Sequence, residues 1–406
     1  MKILQICPRV PWPLTDGGNI AMNGLASLLE RSGIEVTVFA LNTKKHRINE
    51  DRLPESLRIR QSIVTYPIDT SIRIKDAALN FFRKDESYNV VRFFDKGAEE
   101  SLASLLSLKK FDVIILESLF TTPYIPVIRK TCNSAVLLRA HNVEQVIWKS
   151  LADGTGNPLR RFYLNFLAGR IKNIEDRMGE MVDGFLPITD IDARYYESIA
   201  AYAKHFTLPL TIDTDKFHSQ INTNEPLRLF HLGSMDWMPN VEAVEWFLDN
   251  CWENIGKHFP SLELHLAGRS FPERLVRKDA GNIHFAGTVD DSLSYMKDKQ
   301  IMIVPLLSGS GMRVKILQGM ALGKTIISTS TGSEGIPATD GKDILIADDE
   351  HAFLEKTEAC MKDPEMAYRI GEQARLMVCE KFSETSIGPK LVGFLKSIAK
   401  PISYQA

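Results

Sequence analysis

Short runs that are apolar at successive positions recur along this chain, each followed by a loop and a stretch with helical spacing. Lys2–Cys7 (KILQIC) is the first. Residues 34–40 (IEVTVFA), 111–117 (FDVIILE) and 135–140 (AVLLRA) repeat it, and 184–188 (GFLPI) is a shorter, proline-broken copy. A strand apolar on both faces must be covered on both faces, which is the condition of a parallel sheet flanked by helices. Between the first two runs, Ile20, Leu25, Leu28 and Leu29 follow helical spacing over 19–32, and Gly33 stops that helix. The alternation strand–loop–helix–strand predicts βαβ units.

Near Leu208 the texture changes. Residues 208–228 (LPLTIDTDKFHSQINTNEPLR) are polar and turn-rich, which predicts a domain junction. The rhythm then restarts, with apolar runs at 227–232, 262–267, 283–285, 301–305, 325–328 and 344–346. Helical spacing covers 159–181 in the first half and 240–255, 312–322 and 351–382 in the second. The fold class predicted is α/β, with two doubly wound parallel-sheet domains at 1–208 and 209–382 and a terminal segment at 383–406. A chain of 406 residues has the length for this.

Composition removes several function classes. The formal net charge is −2, so a bulk electrostatic attraction to nucleic acid is not expected. The five cysteines, at 7, 132, 251, 360 and 379, form no Cys-x-x-Cys pair and read as reduced thiols of a cytoplasmic protein. No run of about 18 apolar residues is present. The N-terminus reads as a first strand and not as a signal peptide. Residues 71–94 interleave basic and aromatic side chains. That pattern fits a helix resting at the inner membrane face, and more readily an ordinary helix packing its aromatic side into the domain.

In open parallel sheets, ligands bind beyond the carboxyl ends of the strands, where helices begin and attract anions. Four loops hold such positions. Asp16-Gly17-Gly18 lets the backbone approach a ligand, or makes a plain turn. Residues 308–315 (SGSGMRVK) combine glycine with two cations and read as a diphosphate site, although no P-loop lysine pattern closes the motif. Arg139 to Glu144 (RAHNVE) sets a histidine and a carboxylate three apart. Thr331 to Gly335 (TGSEG) offers a carboxylate between glycines for hydroxyl binding. On the helix of the second loop, Lys315 and Gln318 are three apart and share a face, while Leu317, Met320 and Ala321 read as the packing side. Lys315 is therefore preferred over Arg313 for phosphate.

Taken together these residues resemble the retaining GT-B glycosyltransferases of family 4. The likeness runs from Asp16-Gly17-Gly18 through His141-Asn142-Val143-Glu144, the junction phrase PLTIDTDKF, LHLAG at 264–268 and IHFAGTV at 283–289. It is densest from Ile303 to Gly335. The resemblance implies two Rossmann-like domains facing a cleft, the donor on the C-terminal one and the acceptor mainly on the N-terminal one. It also implies a last helix that crosses back. His141 would lie beside the transferred sugar, and Lys315 with Arg313 would neutralise the leaving diphosphate. Gly17, Gly18, Gly233, Ser310, Gly311 and Gln318 would contact the donor, Thr288 and Val289 the base, and Glu334 the sugar or phosphate. Asp16, Asn142 and Glu144 would face the acceptor.

Three departures stand out. The family's two glutamates, seven residues between them, are Ser310 and Gln318 here. The loop Gly233 to Asn240 lacks the cations that many members carry, and Arg313 and Lys315 are expected to supply them. The junction phrase has Leu210-Thr211 where Asn-Gly is usual. The expected activity is metal-independent transfer of a sugar from a UDP- or GDP-sugar to a glycan or lipid-linked acceptor, in cell-surface polysaccharide synthesis, with no cofactor and no metal ligand. A sugar-nucleotide epimerase or phosphorylase on the same fold, and a non-catalytic nucleotide-sugar binder, are the alternative readings.

Overall fold

The computed structural model describes residues 1–14, 17–73, 80, 86–217, 226–276, 281–309 and 311–400. The chain divides into two units. The first is Met1–Thr211 with the stretch from Ile387 on, and the second is Ile212–Ser386.

The first unit carries strands β1 (Lys2–Cys7), β2 (Glu35–Thr43), β3 (Val64–Ile68), β4 (Val113–Glu117), β5 (Ala135–Arg139), β6 (Gly184–Phe185) and β7 (Lys204–His205). They form one parallel sheet in the order β3-β2-β1-β4-β5-β6-β7. Alternate side chains feed two cores, one on each face. Leu4, Ile6, Ile114, Leu116 and Leu138 belong to one, and Ile3, Cys7, Val113, Ile115 and Leu137 to the other. The second face is closed by the helix Gly17–Arg31, through Met22, Leu25 and Leu29. The C-terminal helix Glu384–Ile398 adds Leu391, Leu395 and Ile398 to the same core. Full burial on both faces is the physical reason these runs read as continuous apolar stretches.

The second unit repeats the plan with β8 (Arg228–Leu232), β9 (Glu263–Ala267), β10 (Ile283–Gly287), β11 (Ile301–Val304), β12 (Thr325–Ser328) and β13 (Leu345–Ile346). The order is β10-β9-β8-β11-β12-β13, again all parallel. In each sheet the strand order reverses once, between β1 and β4 and between β8 and β11. The loops beyond those strand ends are the ligand positions of a doubly wound sheet.

Several boundaries differ from the sequence reading. β3 and β7 were not expected: β3 (VTYPI) is mostly half-buried at the sheet edge and β7 is two exposed residues, so neither has an apolar run. The helical stretch over 351–382 is two helices, Glu350–Lys362 and Pro364–Lys381, because Asp363 caps the second and Pro364 opens it. The helix after β11 starts at Val314, not Met312, because Gly309 and Gly311 take φ of 102° and 89°. Within 71–94, Tyr88 is buried, Phe93 stacks on Phe120 at 5.0 Å and Phe94 leans on Tyr124 at 5.9 Å. Tyr88 and Phe93 serve the domain's own packing, while Phe94 stays 42% exposed. Residues 74–79 and 81–85 lie outside the described ones.

Candidate functional site

In the first unit a cavity of about 580 Å³ opens at the carboxyl ends of the strands. Each strand from β1 to β5 contributes to it: Arg9 follows β1, Lys45 follows β2, Thr70 follows β3, Ser118 follows β4 and His141 follows β5. Gly18, in the first turn of helix Gly17–Arg31, lines it as well.

Beneath the cavity lies a buried polar network. Glu117 ends β4 with no solvent exposure, and Arg139 is its cross-strand partner on β5. Its Oε1 accepts from Gln5 Nε2 at 2.6 Å and Arg139 Nη1 at 3.2 Å, and its Oε2 meets His141 Nε2 at 2.5 Å. Gln5 and Arg139 also donate to the carbonyls of Met22 and Ala21 in the helix that covers this face. Burial pushes the Glu117 carboxyl up, but Arg139 and His141 outweigh it and hold the group at about 2. An ionised carboxylate only accepts, so Nε2 of His141 carries a proton and the ring orientation is fixed. The next residue, Ser118, has φ 72° and ψ 164°, a region nearly reserved for glycine and costing of order 1–3 kcal/mol. Strain and a buried ion pair thus coincide at the cavity floor.

His141 and Asn142 stand in the turn before helix Glu144–Asp153. The first turn of that helix is held from a distance. Glu175, in helix Pro158–Met181, accepts from the backbone N–H of Glu144 at 2.7 Å and of Gln145 at 3.3 Å. Burial raises the Glu175 carboxyl to about 8 against these two donors, and raises Glu144 to about 7. Sequence reasoning missed Glu117, Gln5 and Glu175. The available signal was polar residues in or at the end of apolar runs: Gln5 in KILQIC, Glu117 in FDVIILE and Arg139 in AVLLRA.

In the second unit, the loops after β8 and β11 touch. Ser308 Oγ donates to Glu242 Oε2 at 2.8 Å, and a Cβ added to Gly309 would lie 2.7 Å from the Trp237 ring. The Arg313 guanidinium lies 5.0 Å from the centre of the same ring and donates to the Gly311 carbonyl. Arg313 therefore reaches over the cation-free loop Gly233 to Asn240. It is the residue before the helix Val314–Ala321, not a member of its first turn. Burial lowers its pKa and Glu334 opposes that, which places Glu334 within electrostatic reach.

Lys315 and Gln318 share the open face of this helix. Lys315 is half-buried, and among the described residues it has no hydrogen-bond or ion-pair partner. Burial lowers its pKa, and the field of Asp291 works against that. Asp291 caps the short helix two residues beyond Val289, so the Thr288–Val289 loop belongs to the same neighbourhood. Gln318 Oε1 is buried and accepts no hydrogen bond. A half-buried cation without a partner and a buried acceptor without a donor are both groups that an anionic, hydroxyl-bearing ligand would satisfy. At Gly233 the chain's own packing leaves no room for a side chain: a Cβ there would meet Asn240 and His231 at 2.8 Å. Asp16 and Ser310 lie outside the described residues.

One further group has metal-ligand chemistry. Glu263, His265 and His284 bring ligand atoms within 4.8 Å of one another. They sit toward the amino ends of β9 and β10, away from these loops, and Glu263 is already paired with Arg228 at 3.1 Å.

Two parallel sheets of this winding define the GT-B class of fold, two Rossmann-like units in one chain, and solved structures agree. The sucrose-phosphate synthase of Thermosynechococcus elongatus superposes with a TM-score of 0.68 at 16% identity, over 98% of each chain. Anabaena HepE in complex with UDP gives 0.63 at 11%, over 98% of this chain and 100% of its own. Staphylococcus aureus TarM, in complex with Fondaparinux, α-GlcNAc-glycerol and UDP, gives 0.64 at 10%, over 97% and 100%.

More particularly, residues 226–363, which hold the loops of the second unit, match the family described as Glycosyl transferases group 1. A Klebsiella pneumoniae protein described as an uncharacterized 44.6 kDa protein in cps region is 25% identical over 368 residues, covering 87% of this chain and 89% of that one. No helix among the described residues is long and apolar enough to cross a membrane.

Proposed function

We propose that this chain is a retaining, metal-independent glycosyltransferase of family 4. It transfers a sugar from a UDP- or GDP-sugar held by the second unit to a glycan or lipid-linked acceptor taken by the first. The observation that carries this reading is the pair Lys315 and Gln318, a half-buried cation without a partner beside a buried carbonyl without a donor. A diphosphate supplies the missing anion, and ribose hydroxyls supply the missing donor. Similar folds bind UDP and UDP-glucose, and the Klebsiella relative stands in a cps region, which supports a place in cell-surface polysaccharide synthesis.

In the proposed reaction the bond from the anomeric carbon to the diphosphate oxygen breaks, and its electron pair leaves with the phosphate. The acceptor oxygen bonds to that carbon and its hydroxyl proton is released. Lys315, with Arg313, stabilises charge on the leaving group; fixed donors of this kind contribute about 100- to 1000-fold in rate. His141, oriented by Glu117, is assigned to the transferred sugar, and Asn142 and Glu144 to the acceptor.

The experiment is transfer from UDP-, GDP- and ADP-sugars to a glycan panel, read as released nucleoside diphosphate and as product anomeric configuration. Retained configuration on a new glycoside supports the reading. An epimerised donor, or cleavage that requires phosphate, contradicts it in favour of the other enzymes on this fold. Diphosphate binding with no turnover of any donor would make the chain a binder.

A further inference from the structure

The cavity of the first unit is not electrically neutral. Arg9, Lys45 and Arg92 line it, and Glu144 is the carboxyl among its described lining residues. Lys45 is exposed, Arg92 is half-buried, and neither has an ion-pair partner among the described residues. Arg92 Nε is buried and makes no hydrogen bond. Burial disfavours its charged form, since no carboxylate lies against it. A guanidinium retained in this way is costly to the fold and is satisfied best by a carboxylate or phosphate, which it grips through two parallel bonds.

The rest of the wall has a different chemistry. Phe93 and Phe120 stack at 5.0 Å with their planes 22° apart, directly beside Arg92, whose guanidinium sits 5.3 Å from the Phe93 ring. An aromatic wall suits the C–H face of a sugar ring. Thr70 and Ser71 add hydroxyls at the same end of the sheet.

We propose that the first unit binds an anionic sugar, one carrying a carboxylate or a phosphate, with Arg92 and Lys45 reading the charge and Phe93 and Phe120 the ring. This rests on the reading that the first unit takes the acceptor, and it narrows that acceptor to an acidic one. The positive charge is then a specificity device: a neutral glycan leaves the half-buried Arg92 without an anion, whereas an acidic one pairs it.

Saturation-transfer NMR on the full chain tests this with glucuronate, glucose 6-phosphate and glucose at physiological salt. The two anions separate a carboxylate ligand from a phosphate one, and at least one of them binds about tenfold or more tightly than glucose. Arg92→Gln and Lys45→Gln each remove most of that preference. Lys45 is exposed, so its variant stays folded whatever becomes of the other. Equal binding of glucose, or a preference that survives both substitutions, overturns the inference. Melting shifts with UDP and GDP on the same samples keep the two claims apart. A lost anion preference with an intact diphosphate shift defeats this inference alone. An intact anion preference with no diphosphate shift defeats the proposed function and leaves the anionic pocket standing.

Discussion

The Glu117 carboxylate lies 2.5 Å from His141 Nε2 while its other oxygen takes Arg139, its cross-strand neighbour. The three residues come from two adjacent strands and the loop beyond them. Removing one partner of a buried pair costs more than the pair contributes, because the other charge stays behind. Glu117→Ala is expected to lower stability by about 3–5 kcal/mol in urea unfolding. Glu117→Gln is expected to cost less stability but to release His141, lowering kcat more than it changes donor KM. A variant that melts like the parent would remove this network from the account.

Glu175 and Glu144 predict a pH dependence of opposite sign to that of an ordinary ion pair. Their carboxyls sit at about 8 and about 7 in the fold, above the usual 4.5. The folded state therefore binds more protons than the unfolded one between these values. Their contribution to stability is complete below about pH 4.5 and lost as pH rises through 7 to 8. Melting temperature should fall from pH 5 to about pH 9. Glu175→Gln, which mimics the protonated form, should flatten much of that fall. An unchanged slope would mean these groups titrate elsewhere.

Gly309 tests the contact between the loops after β8 and β11. Its φ of 102° and the Trp237 ring 2.7 Å from a modest added methyl both forbid a side chain. Gly309→Ala should cost of order 1–3 kcal/mol and should displace Arg313 from Trp237. Tryptophan fluorescence is the readout, and an unaltered spectrum with unaltered stability would contradict the contact.

The helical hairpin of the first unit is expected to present a surface to an anionic membrane. Leu159 is 82% exposed and Phe162 69%, with Lys149, Arg160 and Arg161 exposed near them in the sequence. Apolar tips among cations suit an anionic lipid surface. Flotation with phosphatidylglycerol vesicles should be lost in Leu159→Asp/Phe162→Asp. Flotation that persists in that variant, or is absent in the parent, would remove this surface.

The sequence made the parallel strands legible because burial on both faces leaves an unmistakable apolar run. It also placed Lys315 and Gln318 on one face, since that relation is local and follows from helical geometry alone. The edge strands β3 and β7 escaped because an edge needs no apolar run. The Glu117 network escaped for another reason. Gln5, Glu117 and Arg139 meet through sheet order, and sheet order is not written in any local spacing. Trp237 and Arg313 are likewise brought together by the strand reversal between β8 and β11.

Gln318 stands where the resemblance implies a glutamate, and its carbonyl is buried without a donor. Gln318→Glu should tighten nucleoside diphosphate binding about three- to tenfold, because an ionised acceptor bonds hydroxyls more strongly. Weaker binding would separate Gln318 from the ribose.

Isothermal titration of UDP and GDP into the parent chain and into Lys315→Ala tests the donor site. One of the two nucleotides is expected to bind the parent, and the substitution to weaken it about 100-fold or more, as for loss of a charge-assisted contact to diphosphate in a half-buried site. Equal affinity in parent and variant, or binding of neither nucleotide to the parent, would contradict a donor site on Lys315.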